Sequence, residues 1–175
     1  SEGNPMKLTV AQMKLFTFFC PIFLLCSCAK QYHGIDELTA KARKELPISD
    51  AAPVDLQYAG MCTADDKALI WFISDNEYQA HYYLPMEVKI TGTDRYSFVQ
   101  TYKPILGQVQ DIAVLNWNRG FAFVINNPDC ASVKITDENG IHEEKIDPES
   151  YPYVFYEPMV PSEYLFLDSN GNELN

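Results

Sequence analysis

The sequence predicts an all-β protein: an antiparallel β-sandwich preceded by one short N-terminal helix. Two observations lead to this. Phe, Trp and Tyr make up 13% of the 175 residues, and aromatic and β-branched side chains fit the half-buried face of a pleated sheet. From Val54 onward, short apolar or alternating runs follow one another with turn residues between them and no helical interval. That rhythm is the pattern of a sandwich or barrel.

A third observation sharpens the architecture. Cys62, Trp71 and Cys130 stand in the cysteine–tryptophan–cysteine order of immunoglobulin domains, although Pro128 occupies the place of the corner tyrosine. The expectation is therefore immunoglobulin-like in architecture, not in family membership.

The elements follow in order. Ile35, Leu38, Ala42 and Leu46 recur at helical spacing, so residues 35–46 are expected to form a helix stopped by Pro47. Asp36 and Glu37 at its start and Lys41, Arg43 and Lys44 near its end suit the helix dipole. Residues 67–74 (KALIWFIS) form an unbroken apolar run, expected to be a strand buried on both faces. Asp75-Asn76 then turns the chain. Strands are expected at 78–84, 87–91 and 95–103. A hairpin at Asn118-Arg119-Gly120 joins 111–117 to 121–126, and one at Asn139-Gly140 joins 132–136 to 141–146. Residues 153–156 and 164–168 are short aromatic strands, with a last turn at Asn170-Gly171. Pro85, Pro104, Pro128, Pro148, Pro152, Pro158 and Pro161 are expected outside strand interiors, because proline cannot donate to the ladder.

Ahead of these elements lies a leader. Lys14 supplies a positive charge, and residues 15–25 are apolar except for Thr17 and Pro21. This is the length of a signal-peptide core and is short for a bilayer span. Leu25-Cys26-Ser27-Cys28 follows and resembles the lipobox of bacterial lipoproteins. The resemblance implies a diacylglyceryl group on Cys28, cleavage just before it, and anchorage to the cell membrane or outer membrane on the extracytoplasmic side. An uncleaved helical anchor and a secreted protein cut near Ala29 are the competing readings. Residues 1–12 read as an upstream extension, with Met6 and Met13 as candidate starts. The expected organisation is thus 1–27 extension and signal peptide, 28–47 lipid-anchored tether and helix, and 48–175 β-sandwich. The helix either packs on its own domain or lies on the membrane with Lys41, Arg43 and Lys44 towards anionic lipid.

Charge narrows the function classes. The formal net charge is −11. Only Glu2, Lys7 and Lys14 precede the expected cleavage point, leaving 23 acids against 11 bases after it. Phosphate backbones repel such a chain, so nucleic acid is excluded as a partner.

Candidate chemistry is sparse. Cys62 and Cys130 form an even pair, and in an exported domain such a pair is expected to close a disulfide; two free buried thiols are the alternative. His33, His81 and His142 are far apart and show no metal-ligand spacing, so a metal site would have to be assembled by the fold. No metal or cofactor is expected. Asp168 to Glu173 places oxygens at alternate positions but lacks the glycine and the length of an EF-hand loop. The acids Asp137, Glu138, Glu143, Glu144, Asp147 and Glu149 crowd one hairpin and would attract a cation or basic partner, or simply be solvated. GxSxG, SxxK, P-loop and Rossmann patterns are missing, and no enzyme activity is expected. Tyr151, Tyr153, Tyr156, Met159 and Tyr164 lie in a Pro-rich stretch and are the candidate binding surface, with packing under a loop as the alternative. The expected function is a non-enzymatic, membrane-anchored binding or assembly module of the cell envelope, with a protein partner there. The alternative is an immunity or inhibitor lipoprotein against an envelope-acting enzyme or toxin.

Overall fold

Two runs, residues 68–74 and 122–125, apolar but for Ser74, organise the structure, because each is buried on both faces. The computed structural model describes residues 29–45, 55–75, 81–107 and 110–174. The leader, Cys28, the helix stop at Pro47, the turn residue Asn76 and the strand start expected at Tyr78 lie outside the described residues.

In chain order the elements are β1 (Gln31–His33), α1 (Gly34–Glu45), β2 (Asp55–Ala64), β3 (Lys67–Asp75), β4 (Tyr82–Gly92) and β5 (Arg95–Thr101). There follow β6 (Ile105–Leu106), β7 (Ile112–Trp117), β8 (Gly120–Ile125) and β9 (Ser132–Asp137). The chain ends with β10 (Gly140–Lys145), β11 (Tyr153–Glu157) and β12 (Glu163–Leu167).

All pairings are antiparallel. The first sheet runs β1-β5-β4-β3-β2, with β6 also on β4; the second runs β11-β8-β7 and the third β10-β9-β12. The sandwich expected from sequence is present, extended by a third sheet. Within the first sheet, β2 to β5 are joined as consecutive hairpins, a meander, so the likeness to immunoglobulin domains is one of architecture and not of Greek-key connectivity.

Alternation along the strands builds three apolar layers. Ala68, Ile70 and Phe72 of β3 meet Leu38 and Ala42 of α1, so the helix packs on its own domain. Leu69, Trp71 and Ile73 face the other way, against Ala122 and Val124 of β8. The remaining side chains of β8, Phe123 and Ile125, pack on Val133 and Ile135 of β9 and on Tyr164 and Phe166 of β12. Phe123 is stacked on Phe155 at 4.6 Å and is met edge-on by Tyr164 at 5.3 Å.

Several elements differ from the sequence expectation. Gln31 to His33, expected as a tether, pair with β5 and bury Tyr32. The strands expected at 78–84 and 87–91 are one continuous strand, β4, with Pro85 in its interior. The sheet accommodates the proline because its carbonyl accepts from Tyr102 N, placing its N-terminal side towards the break between β5 and β6 on the same edge. The β9–β10 turn residues are Glu138 and Asn139, since Gly140 already pairs with Asp137. At the β7–β8 turn, Asn118 (φ 47°) and Arg119 (φ 65°) are both left-handed, as a two-residue hairpin of the primed type requires.

The joint between the first two sheets is tight at Gly60. A bulge interrupts β2 at Tyr58–Gly60, Gly60 has φ 144°, and a Cβ there would lie 2.8 Å from Val154 Cγ2 of β11. Gly60→Ala combines backbone strain with overpacking, and is expected to cost about 1–3 kcal/mol. Urea denaturation measures this; a variant as stable as wild type would show that the two sheets can part at β2 without cost.

Candidate functional site

Carboxylates between the layers carry the polar chemistry of this protein. The first, Glu87 of β4, faces the joint between the first and second sheets and is 3% exposed. Its Oε2 accepts from Tyr102 OH (2.5 Å), Trp117 Nε1 (3.2 Å) and Gln100 Nε2 (3.3 Å), and its Oε1 pairs with Lys67 Nζ at 2.9 Å. Burial by itself would raise the Glu87 pKa, but the donors Tyr102, Lys67, Gln100 and Trp117 outweigh it and bring the group down to about 2. Burial, with Glu87 beside it, pushes the Tyr102 hydroxyl up to about 12. Trp71, in the same layer as Trp117, has an indole N–H with no partner among the described residues.

The second is Asp111, held left-handed at φ 52° just before β7. Its carboxylate accepts from Tyr83 OH (2.5 Å), His81 Nδ1 (2.9 and 3.0 Å) and Asn126 Nδ2 (3.1 Å). A carboxylate only accepts, so His81 carries its proton on Nδ1. An imidazole oriented in this way is half of a general-base dyad. Among the described residues, however, no hydroxyl or thiol is hydrogen-bonded to its other nitrogen. Burial first and Asp111 second push the Tyr83 phenol well above its usual value.

The third group gathers where the turns β7–β8 and β9–β10 meet the end of β11. His142 of β10 places Nε2 2.8 Å from Glu157 Oε2 and Nδ1 3.9 Å from Asp137 Oδ2. The Asp137 and Glu157 side chains are 4% and 10% exposed, and that of His142 is 46% exposed. Each carboxylate has its other oxygen held by a backbone amide: Asn139 N to Asp137 Oδ1 at 2.7 Å, and Met159 N to Glu157 Oε1 at 3.1 Å. Glycine at position 120 is required for this placement, because a Cβ there would fall 2.1 Å from the Glu157 carbonyl. Beside the group, Arg119, Glu138, Pro158, Met159 and Val160 line a shallow groove of about 280 Å³.

The candidate residues named from sequence are distributed as follows. Cys28 lies outside the described residues. Cys62 and Cys130 are both free and buried, Cys62 in the layer between the first and second sheets and Cys130 in the layer between the second and third. The expected disulfide is not formed, because β8 and its neighbours separate the two thiols. Burial pushes them up to about 12 for Cys62 and about 11 for Cys130, so both stay protonated near neutral pH.

Of the tyrosines proposed as a binding surface, four spend their rings or hydroxyls on inter-sheet packing. Tyr151 OH donates to the Cys130 carbonyl, Tyr153 OH to Glu144 Oε1 (2.5 Å) and Tyr156 OH to the Asn118 carbonyl (2.6 Å). Tyr156 also meets Trp117 edge-on at 5.2 Å, and Tyr164 packs on Phe121 and Phe123. Met159 alone of the five lines the groove. Asp168 is engaged within its own turn, accepting from Asn170 N and Asn172 N at 2.8 Å each.

Sequence reading missed Glu87, Asp111 and Glu157 as polar centres, and gave His142 no partner. One signal was present: the crowd of acids around the Asn139-Gly140 turn. The chain matches no family model, no curated protein and no solved structure.

Two outcomes test this geometry. Glu87 titrates lower in the folded than in the unfolded chain. Its contribution is therefore complete above pH 4.5 and is lost as pH falls towards about 2. Urea denaturation across that window is expected to show a steeper loss for wild type than for Glu87→Gln, and parallel curves would refute it. Cys62 and Cys130 are expected to resist iodoacetamide in the folded chain and to react without reductant once it is unfolded in urea, as read by peptide mass mapping. Failure to alkylate in urea before reduction would mean that the thiols are bridged.

Proposed function

We propose that the protein is a lipid-anchored, non-enzymatic binding or assembly module of the cell envelope. It is cleaved before Cys28 and held at the extracytoplasmic face of the cell membrane or outer membrane. The observation that carries this reading is the short distance between anchor and fold. Only Ala29 and Lys30 separate the lipobox cysteine from β1, whose Tyr32 is already buried in the core. Three residues of extended chain reach about 10 Å. The domain therefore sits against the bilayer instead of roaming from it, which suits a module that presents a surface to a neighbour in the envelope.

The groove of Arg119, Glu138, Pro158, Met159 and Val160 is the surface we assign to that role. Val160 is 57% exposed and, with Met159, lies between Pro158 and Pro161, so the groove has a stiff apolar side facing the charged Arg119 and Glu138. The non-enzymatic reading is supported by how the acid and imidazole groups are used. Glu87 and Asp111 are consumed by inter-sheet hydrogen bonds.

The test is to express the full chain in a bacterium, feed a labelled fatty acid, and compare wild type with Cys28→Ala. Label on wild type that vanishes in the variant is the expected result. An unlabelled wild type would overturn the anchored reading, and with it the assignment to the envelope.

A further inference from the structure

We infer that Asp137, His142 and Glu157 form a binding site for one divalent transition-metal ion of the zinc class. One ligand atom from each residue lies within 4.8 Å of the other two. Two donors each about 2.1 Å from a tetrahedral ion are about 3.4 Å apart; here Nε2 of His142 is 2.8 Å from Glu157 Oε2, and Asp137 Oδ2 is 3.9 Å from the other ring nitrogen, Nδ1. A small rotation of the half-exposed imidazole opens the shorter of these distances, and the ring then offers a single nitrogen to the ion.

The argument rests on more than proximity. Asp137 and Glu157 are nearly buried carboxylates, and buried charges need a partner. Among the described residues the one basic side chain they share is the His142 imidazole, and Asp137 Oδ2 at 3.9 Å is outside hydrogen-bond reach of it. That oxygen, on a side chain only 4% exposed, thus has no hydrogen-bond donor among the described residues. The opposite oxygen of each carboxylate is fixed by a backbone N–H, from Asn139 and from Met159. This leaves one oxygen per carboxylate for the ion, with orientation supplied from outside the ligand set, as in established metal sites.

The ligand types choose the metal class. An imidazole nitrogen with two carboxylates suits zinc and its first-row neighbours. Calcium, which takes six to eight oxygens, is a poor match. His142 is the exposed member, so the ion enters from the solvent side and keeps open positions there for water or a ligand. The groove walled by Glu138 and Met159, chain neighbours of Asp137 and Glu157, adjoins those positions.

The probe is Co2+ titrated into the full chain purified in detergent, followed by visible absorption and then displacement with Zn2+. One Co2+ per chain with d–d bands, lost on adding Zn2+, is expected. Affinity is expected to fall at least about tenfold in His142→Ala and Glu157→Gln. His142→Ala touches the least buried ligand, and far-UV circular dichroism checks that it folds. Glu143→Gln, an exposed acid on the same strand, separates a built site from general acidity and is expected to bind as wild type does. Absence of the bands in folded wild type, equal binding by His142→Ala, or an equal loss in Glu143→Gln would each overturn the site and leave a hydrogen-bonded contact between His142 and the acids.

Discussion

The central strand of the middle sheet, β8, is covered on both faces, and most of the structure answers to that constraint. It must be apolar on both sides, and it is: Ala122 and Val124 meet the first sheet while Phe123 and Ile125 meet the third. The same demand falls on β3, which lies between α1 and the middle sheet. Strands buried on both faces read as continuous apolar runs, usually in parallel sheets; here antiparallel hairpins reach the same state by stacking in three layers. Gly60 and Gly120 belong to this arrangement, since each removes a Cβ where chains from different hairpins approach closely.

Stacking also traps polar atoms, and the chain answers with carboxylates. Trp117, Tyr102 and Lys67 converge on Glu87, Tyr83 and His81 on Asp111, and His142 on Glu157. A carboxylate accepts several bonds at once, so one acid can satisfy donors from both walls of a joint. Charge-assisted bonds of this kind are about twice as strong as neutral ones. The abundance of both acids and tyrosines, which from composition alone pointed to a solvated surface and a binding face, is partly spent inside. The hydroxyls of Tyr102, Tyr83 and Tyr153 are each used to tie a strand to an acid.

These ties differ in what they leave over. Around Glu87 and Asp111 the donors match the acceptors, and the groups act as rivets. At Asp137, His142 and Glu157 one carboxylate oxygen, Asp137 Oδ2, has no donor among the described residues, and one member faces solvent. The imbalance marks the place where the interior chemistry of the protein opens onto its surface. It lies next to the groove assigned to partner binding, so a metal ion there would stiffen the Glu138 and Met159 walls of that groove.

What the sequence determined by itself was whatever is local. The α1 helix, the double-sided burial of β3, the hairpin at Asn118-Arg119 and the two aromatic strands near the C-terminus all follow from periods of 3.6 or 2 and from turn residues, signals contained within a dozen residues. Even there, β10 was legible as a strand while its turn fell one residue earlier than the Asn-Gly pair implied, because pairing register is fixed by the partner strand. Tertiary structure decided the third layer, the separation of Cys62 from Cys130 and the choice of which tyrosines are bound inside. It also decided the site: Asp137 and His142 flank one turn of the third sheet, but Glu157 reaches them only because β11 pairs with β8 in the second sheet and that sheet packs on the third, a placement that no spacing along the chain records.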